Sequence, residues 1–182
     1  MKTRKMTFGA MFLALSLLLP QVFHFIGMQQ AGSIFLPMHL PVFLGGMVLG
    51  PIYGLFLGVF APLTSSILTG MPSAERVLFM MCELSTYGMV SGLMFQYFHF
   101  KNKKFGSLFS LIISMVSGRI VYGLALIVAT YLFHMSLGGL QAVIIATSTG
   151  LPGIVIQLIF VPIVVNAIER TGYFNENKIV MN

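Results

Sequence analysis

Two charged residues, Glu83 and Arg119, stand inside long apolar stretches of this 182-residue sequence. Ionisable groups are costly in hydrocarbon, so such residues are candidates for function by default. Tyr87 follows Glu83 at i+4 and Tyr122 follows Arg119 at i+3, so in helices each tyrosine shares a face with its charged neighbour. A carboxylate, a guanidinium and two phenols between apolar walls are typical of a small-molecule binding site. The alternative is a structural Glu83–Arg119 ion pair that fixes how two helices meet.

Other polar side chains extend this hypothesis. His39 stands between two prolines, and Ser66 belongs to a hydroxyl cluster with Thr64, Ser65 and Thr69. We interpret His39 and Ser66 as further substrate-binding candidates. The alternatives are a capping or loop-packing role for the histidine and hydrogen bonds from the hydroxyls to their own backbone.

The composition requires a membrane around these residues. Of the sequence, 57% is hydrophobic and only 8% is charged, which excludes an ordinary soluble globule. The net charge of +6 does not indicate nucleic-acid binding, because the basic residues form no face interleaved with aromatic side chains. Eight of the ten lie at the N-terminus, in one short loop or at the C-terminus: Lys2, Arg4, Lys5, Lys101, Lys103, Lys104, Arg170 and Lys178. This distribution is typical of cytoplasmic flanks.

The stretch from Pro37 to Pro72 contains no charged residue and is punctuated by glycine and proline. In hydrocarbon such a segment must be helical, because unsatisfied backbone groups are too costly there. Glycine suits a helix end and proline a helix start, so Gly50–Pro51 divides the stretch into two helices. Small residues on both arms predict close helix packing.

With about 20 apolar residues needed per crossing, the sequence predicts six transmembrane helices at about 6–26, 34–49, 51–68, 74–98, 108–133 and 140–168. The sixth is interrupted by the sequence TGLPG at 149–153. We therefore predict one all-α membrane domain over 1–182, a compact six-helix bundle in the cell membrane with both termini cytoplasmic. Glu83 then lies in the outer half of the fourth helix, and Arg119 lies near the middle of the fifth.

Motifs for catalysis are missing. The sequence has no GxxxxGK[ST] phosphate-binding loop, no HExxH zinc motif, no aspartate and a single cysteine, Cys82. We predict no catalytic residue, no metal and no cofactor in this chain, and hence a protein that is not an enzyme.

The sequence resembles the substrate-binding S-components of energy-coupling factor (ECF) vitamin transporters. Ala10 and Ala14 in GAMFLA match the small-xxx-small motif with which that family docks on its partner, and the 37–72 segment looks like the helix two–three region of vitamin-precursor S-components of Firmicutes. The resemblance implies a subunit that captures a vitamin near its outer face. It also implies partners: a membrane coupling protein (T-component) and two cytosolic ATPases.

The identity of the substrate depends on which of the two charged residues, Glu83 or Arg119, binds it. Glu83 could accept paired hydrogen bonds from an aminopyrimidine, which favours hydroxymethylpyrimidine, the thiamine precursor. Arg119 could instead hold the carboxylate of pantothenate. If the two residues pair with each other, pyridoxine or a cobalamin precursor such as a ribosylated benzimidazole becomes possible. The alternatives from other classes are a structural membrane subunit without a ligand and a stand-alone secondary transporter that needs no ATPase.

Overall fold

The computed structural model describes residues 2–25, 31–98, 100, 103, 105–132 and 139–171. The predicted helix ends at 26 and 133, most of the basic loop and the C-terminal segment after 171 lie outside the described residues. Within the described residues the chain is helical and contains no strand. The α-helices are α1 (Lys2–Phe25), α2 (Ala31–Phe35), α3 (His39–Leu49), α4 (Pro51–Thr69), α5 (Ala74–Gly92), α6 (Gly106–Leu132), α7 (Gly139–Thr149) and α8 (Leu151–Arg170), and a π-helical segment, Leu93–Tyr97, continues α5.

Six helical stretches in the described part of the chain are long and apolar enough to cross a membrane. They are Thr3–Phe23, Gly32–Leu49, Pro51–Thr69, Ala74–Tyr97, Gly106–Tyr131 and Leu151–Arg170. The prediction of an all-α membrane bundle is confirmed. The basic residues at the start of α1 and the end of α8 predict that both of these ends are cytoplasmic, and "outer" below denotes the opposite end of the bundle.

Helix α3 forms the centre of the bundle. It contacts α1, α4, α5 and α8, and every residue in it except Leu40 is buried. Phe43 and Met47 are completely enclosed. A helix surrounded on all sides by other helices has no polar environment for a charge, which explains why this part of the sequence carries none.

Small residues bring α3, α4 and α5 into backbone contact. A β-carbon added to Gly88 of α5 would collide with the backbone oxygen of Gly54 on α4, and one added to Gly46 of α3 would collide with the oxygen of Gly88. One added to Gly54 would lie 2.7 Å from the Cα of Gly46. The predicted close packing therefore occurs, and it fixes α5, which carries Glu83, against the central helix.

The predicted helix 34–49 is interrupted. Helix α2 ends at Phe35 and α3 begins at His39, with Leu36 between them in the left-handed region at φ 49°. The physical reason is Pro37, whose ring disfavours helical backbone at the preceding residue. The two helices together still provide the second span, Gly32–Leu49.

The predicted sixth helix, 140–168, is two helices joined at Gly150, as the TGLPG interruption indicates. Helix α8 is long enough to cross the membrane without α7. The 11-residue α7 packs on α6 and also touches α2, so it belongs to the outer end of the bundle.

Candidate functional site

Glu83 on α5 and Arg119 on α6 form a direct ion pair. Arg119 Nη1 lies 2.9 Å from Glu83 Oε1, and the Tyr87 hydroxyl donates a hydrogen bond of 2.7 Å to the same oxygen. Glu83 is 5% exposed. It lies nine residues after the start of α5, about 14 Å along the helix from its outer end at ~1.5 Å per residue. The pair balances its own charge, and both donors converge on one carboxylate oxygen.

The ring of Tyr87 is held from three sides. It lies 4.9 Å from the ring of Phe43 and 5.6 Å from the imidazole of His39, both measured between centroids. Its third neighbour is Gly118 on α6, where an added β-carbon would overlap the ring. This packing leaves the tyrosine little freedom, so its hydroxyl is aimed at Glu83.

His39 joins the same group of residues from α3. It is 3% exposed, and Arg119 is near enough for its charge to act on the imidazole. Its Nδ1 is buried and has no hydrogen-bond partner, and the same holds for Nε of Arg119. We call His39, Glu83, Tyr87 and Arg119 the polar cluster. A buried polar atom without a partner is uncommon in a folded protein and requires an explanation.

Two interruptions of the helical backbone, one between α2 and α3 and one between α7 and α8, border the polar cluster. At the first, the oxygen of Leu36 accepts hydrogen bonds from the backbone N–H of His39 at 3.1 Å and from Nε2 of the buried Gln157 at 3.2 Å. At the second, a β-carbon added to Gly150 would lie 3.0 Å from the Leu36 side chain and 3.6 Å from Arg119 Nη2. The irregular backbone predicted at 149–153 therefore lies beside Arg119.

Towards the outer end, Tyr122 is half-buried and lies within electrostatic range of Glu83, Arg119 and Arg76. Arg76 is exposed in the first turn of α5. Tyr122 is therefore near both the charged pair of the polar cluster and an exposed cation.

Ser66 has a different environment. Its hydroxyl donates a hydrogen bond of 2.7 Å to the oxygen of Pro72, and its neighbour Ser65 donates one of 2.7 Å to the oxygen of Met71. These bonds tie the end of α4 to the loop that leads into α5. A substrate-binding role for Ser66 stays a prediction, beside this structural role.

Ala10 and Ala14 are exposed on α1, one turn apart. Larger apolar side chains, among them Met6, Met11 and Leu18, are exposed on the same helix. The two alanines therefore form a shallow strip on an apolar surface, which suits close approach of another membrane helix.

Sequence reasoning missed three residues that shape the site: Leu36, Phe43 and Gly118. Only Leu36 carried a signal, because it precedes a proline. Phe43 and Gly118 resemble every other apolar or small residue of the chain, so only the packing of α3 and α6 around Tyr87 distinguishes them.

Comparison with known proteins agrees with this architecture. Residues 4–165 match the model of the family described as "ECF transporter, substrate-specific component". No match was found among curated proteins, and none among solved structures. The family match covers most of the chain, and the six apolar spans are those expected of a multi-pass protein of the cell membrane. This chain therefore belongs to the substrate-specific components of ECF transporters, and it is a substrate-binding transport subunit, not itself catalytic.

Proposed function

We propose that this subunit captures a water-soluble vitamin or vitamin precursor at the polar cluster, and that hydroxymethylpyrimidine is the first substrate to test. The observation that carries the proposal is a buried ion pair in the outer half of the bundle that leaves neighbouring polar atoms without partners. If the ion pair were purely structural, the unpaired Arg119 Nε would only destabilise the protein, since a buried donor without a hydrogen-bond partner is unfavourable. A bound ligand would provide the missing partners.

Hydroxymethylpyrimidine fits the charges of the polar cluster. Glu83 and Arg119 neutralise each other, so an uncharged ring adds no uncompensated charge to a buried site. The amino group of the ring can donate a hydrogen bond to Oε2 of Glu83, and a ring nitrogen can accept a hydrogen bond from Arg119. Pantothenate would bring a negative charge that the paired Arg119 no longer balances, which ranks it second.

The other candidate residues support the contact between the ligand and the Glu83–Arg119 pair or connect the subunit to its partners. Tyr87 orients the carboxylate of Glu83, and Tyr122 lies on the side of the exposed Arg76, where a ligand would enter. Ala10 and Ala14 would contact the membrane coupling protein, which joins two cytosolic ATPases. This division of labour explains why an ATP-driven uptake system includes a chain without a phosphate-binding loop.

Native mass spectrometry of the purified chain, followed by calorimetry with hydroxymethylpyrimidine, tests the proposal. We expect a retained small molecule and tight binding that Glu83→Gln weakens. Glu75→Gln is the matched control, because Glu75 is exposed in the first turn of α5. The structural-subunit alternative would be favoured by a chain that retains nothing and binds none of hydroxymethylpyrimidine, pantothenate, pyridoxine and a ribosylated benzimidazole.

The coupling is tested separately in cells. Inactivation of the ATPases should abolish uptake of the captured vitamin. Uptake that continues unchanged would indicate a stand-alone secondary transporter instead.

A further inference from the structure

The unpaired atoms of the polar cluster specify what a ligand must offer. In the described part of the chain, four buried side-chain atoms lack a hydrogen-bond partner, and two of them are His39 Nδ1 and Arg119 Nε. They belong to different helices, α3 and α6, and both helices contact the ring of Tyr87, α3 through His39 and α6 through Gly118. Two unmet polar atoms brought together by the fold are a stronger indication of a binding site than one isolated defect.

The orientation of the Arg119 guanidinium decides which of its edges is available. Nη1 is engaged by Glu83, whereas Nε has no partner. In a guanidinium group the N–H bonds of Nε and Nη2 run parallel along one edge, so together they can hold a pair of acceptor atoms. This edge borders Gly150, whose added β-carbon would lie 3.6 Å from Nη2. A β-carbon there would also lie 3.0 Å from Cδ1 of Leu36 and 3.1 Å from the oxygen of Ala146, so glycine is the residue that fits this close packing beside the edge.

Two kinds of ligand group could bind such an edge, a carboxylate or the acceptor atoms of an uncharged ring, and the net charge of the site distinguishes between them. A carboxylate would fit its geometry, but the charge of Arg119 is already compensated by Glu83 at 2.9 Å. A second anion would then be buried without a counter-charge, and burial of an unpaired charge is strongly unfavourable. An uncharged ring with adjacent nitrogen or oxygen acceptors makes the same hydrogen bonds without that cost.

We propose that the ligand is an uncharged ring whose acceptor atoms are bound by the Nε–Nη2 edge of Arg119 and whose remaining polar edge meets Nδ1 of His39. This inference rests on the proposed capture function, but it does not depend on hydroxymethylpyrimidine being the substrate. His39 Nδ1 can donate or accept according to the tautomer, so it selects for a polar atom at that point of the ring.

The test uses compounds that differ in charge, measured by calorimetry on the purified chain: the ring pair nicotinamide and nicotinate, the uncharged rings hydroxymethylpyrimidine and pyridoxine, and the acyclic pair panthenol and pantothenate as a control for charge without a ring. We expect the uncharged member of any pair that binds to bind more tightly. We also expect the best ligand to lose on the order of tenfold or more in affinity in Arg119→Lys, which keeps the positive charge and removes the planar edge. His39→Phe, which keeps a ring beside Tyr87, should cause a similar loss.

The outcomes separate this inference from the broader proposal. Tighter binding of the acid member, or an Arg119→Lys variant with unchanged affinity, would overturn the uncharged-ring inference and leave vitamin capture intact. Binding of another uncharged ring by a chain that does not bind hydroxymethylpyrimidine would support the inference and reject that substrate. A chain that retains no molecule and binds no compound of the panel would overturn both.

Discussion

The side-chain amide of Gln157 on α8 donates a hydrogen bond of 3.2 Å to the backbone oxygen of Leu36, 121 residues earlier in the chain. The same oxygen accepts the backbone N–H of His39 at 3.1 Å. Gln157 is 1% exposed, so its amide has no access to water as an alternative partner. Through this shared oxygen, α8 is joined to the backbone that leads into α3, and hence to the first turn that carries the imidazole of His39.

Gln157→Leu should therefore weaken ligand binding although residue 157 need not touch the ligand. We expect a loss of about 0.5–1.5 kcal/mol in stability from the missing hydrogen bond, together with a lower ligand affinity because His39 is less well fixed. Thermal unfolding in detergent and calorimetry measure the two effects. Gln141→Leu, at an exposed position of α7, is the control. Unchanged affinity in Gln157→Leu would show that His39 is positioned without this bond.

The Glu83–Arg119 pair should show strong coupling in a double-mutant cycle. Either Glu83→Gln or Arg119→Gln alone leaves a buried charge without its partner, and we expect each to cost about 3–5 kcal/mol. The double variant removes both charges, so its loss should be well below the sum of the two. The measurement is thermal unfolding of all four proteins in the same detergent. Additive losses would mean that the two side chains do not interact energetically.

Gly88→Ala should destabilise the contact between α4 and α5. The added methyl group would overlap the backbone of Gly54, which cannot move without separating the helices. We expect a loss of about 1–3 kcal/mol or more from overpacking, seen as a lower unfolding temperature. Gly9→Ala is the matched control, because its nearest neighbours would be side-chain carbons at 3.8 Å. Equal stability of the two variants would contradict the close approach of α4 and α5.

Ala10→Leu and Ala14→Leu should impair assembly with the coupling protein and leave ligand binding unchanged. Both positions are exposed, so the larger side chain fits in the isolated subunit and interferes only where another helix must approach closely. Co-purification with the coupling protein and calorimetry of the isolated chain measure the two properties. Ala167→Leu, at an exposed position of α8, controls for added bulk on the surface. A loss of both properties, or of neither, would count against a docking role for α1.

The sequence by itself determined the class of protein, because hydropathy and the placement of charge are local properties of the chain. Six apolar segments and basic flanks predict a membrane bundle without any knowledge of contacts, and two charges inside apolar helices mark candidate functional residues. Glu83, Tyr87 and Arg119 could be selected in this way, and the helix spacing placed Tyr87 beside Glu83.

Only the tertiary structure decided how these residues meet. Whether Glu83 faces Arg119 or a ligand depends on the rotation of α5 against α6, which is set by the contacts of Gly88 with Gly54 and of Tyr87 with Gly118. The backbone oxygen of Leu36, just before α3 and His39, is bound by Gln157 from a distant part of the chain. Such contacts join residues far apart in sequence, so helical spacing contains no information about them.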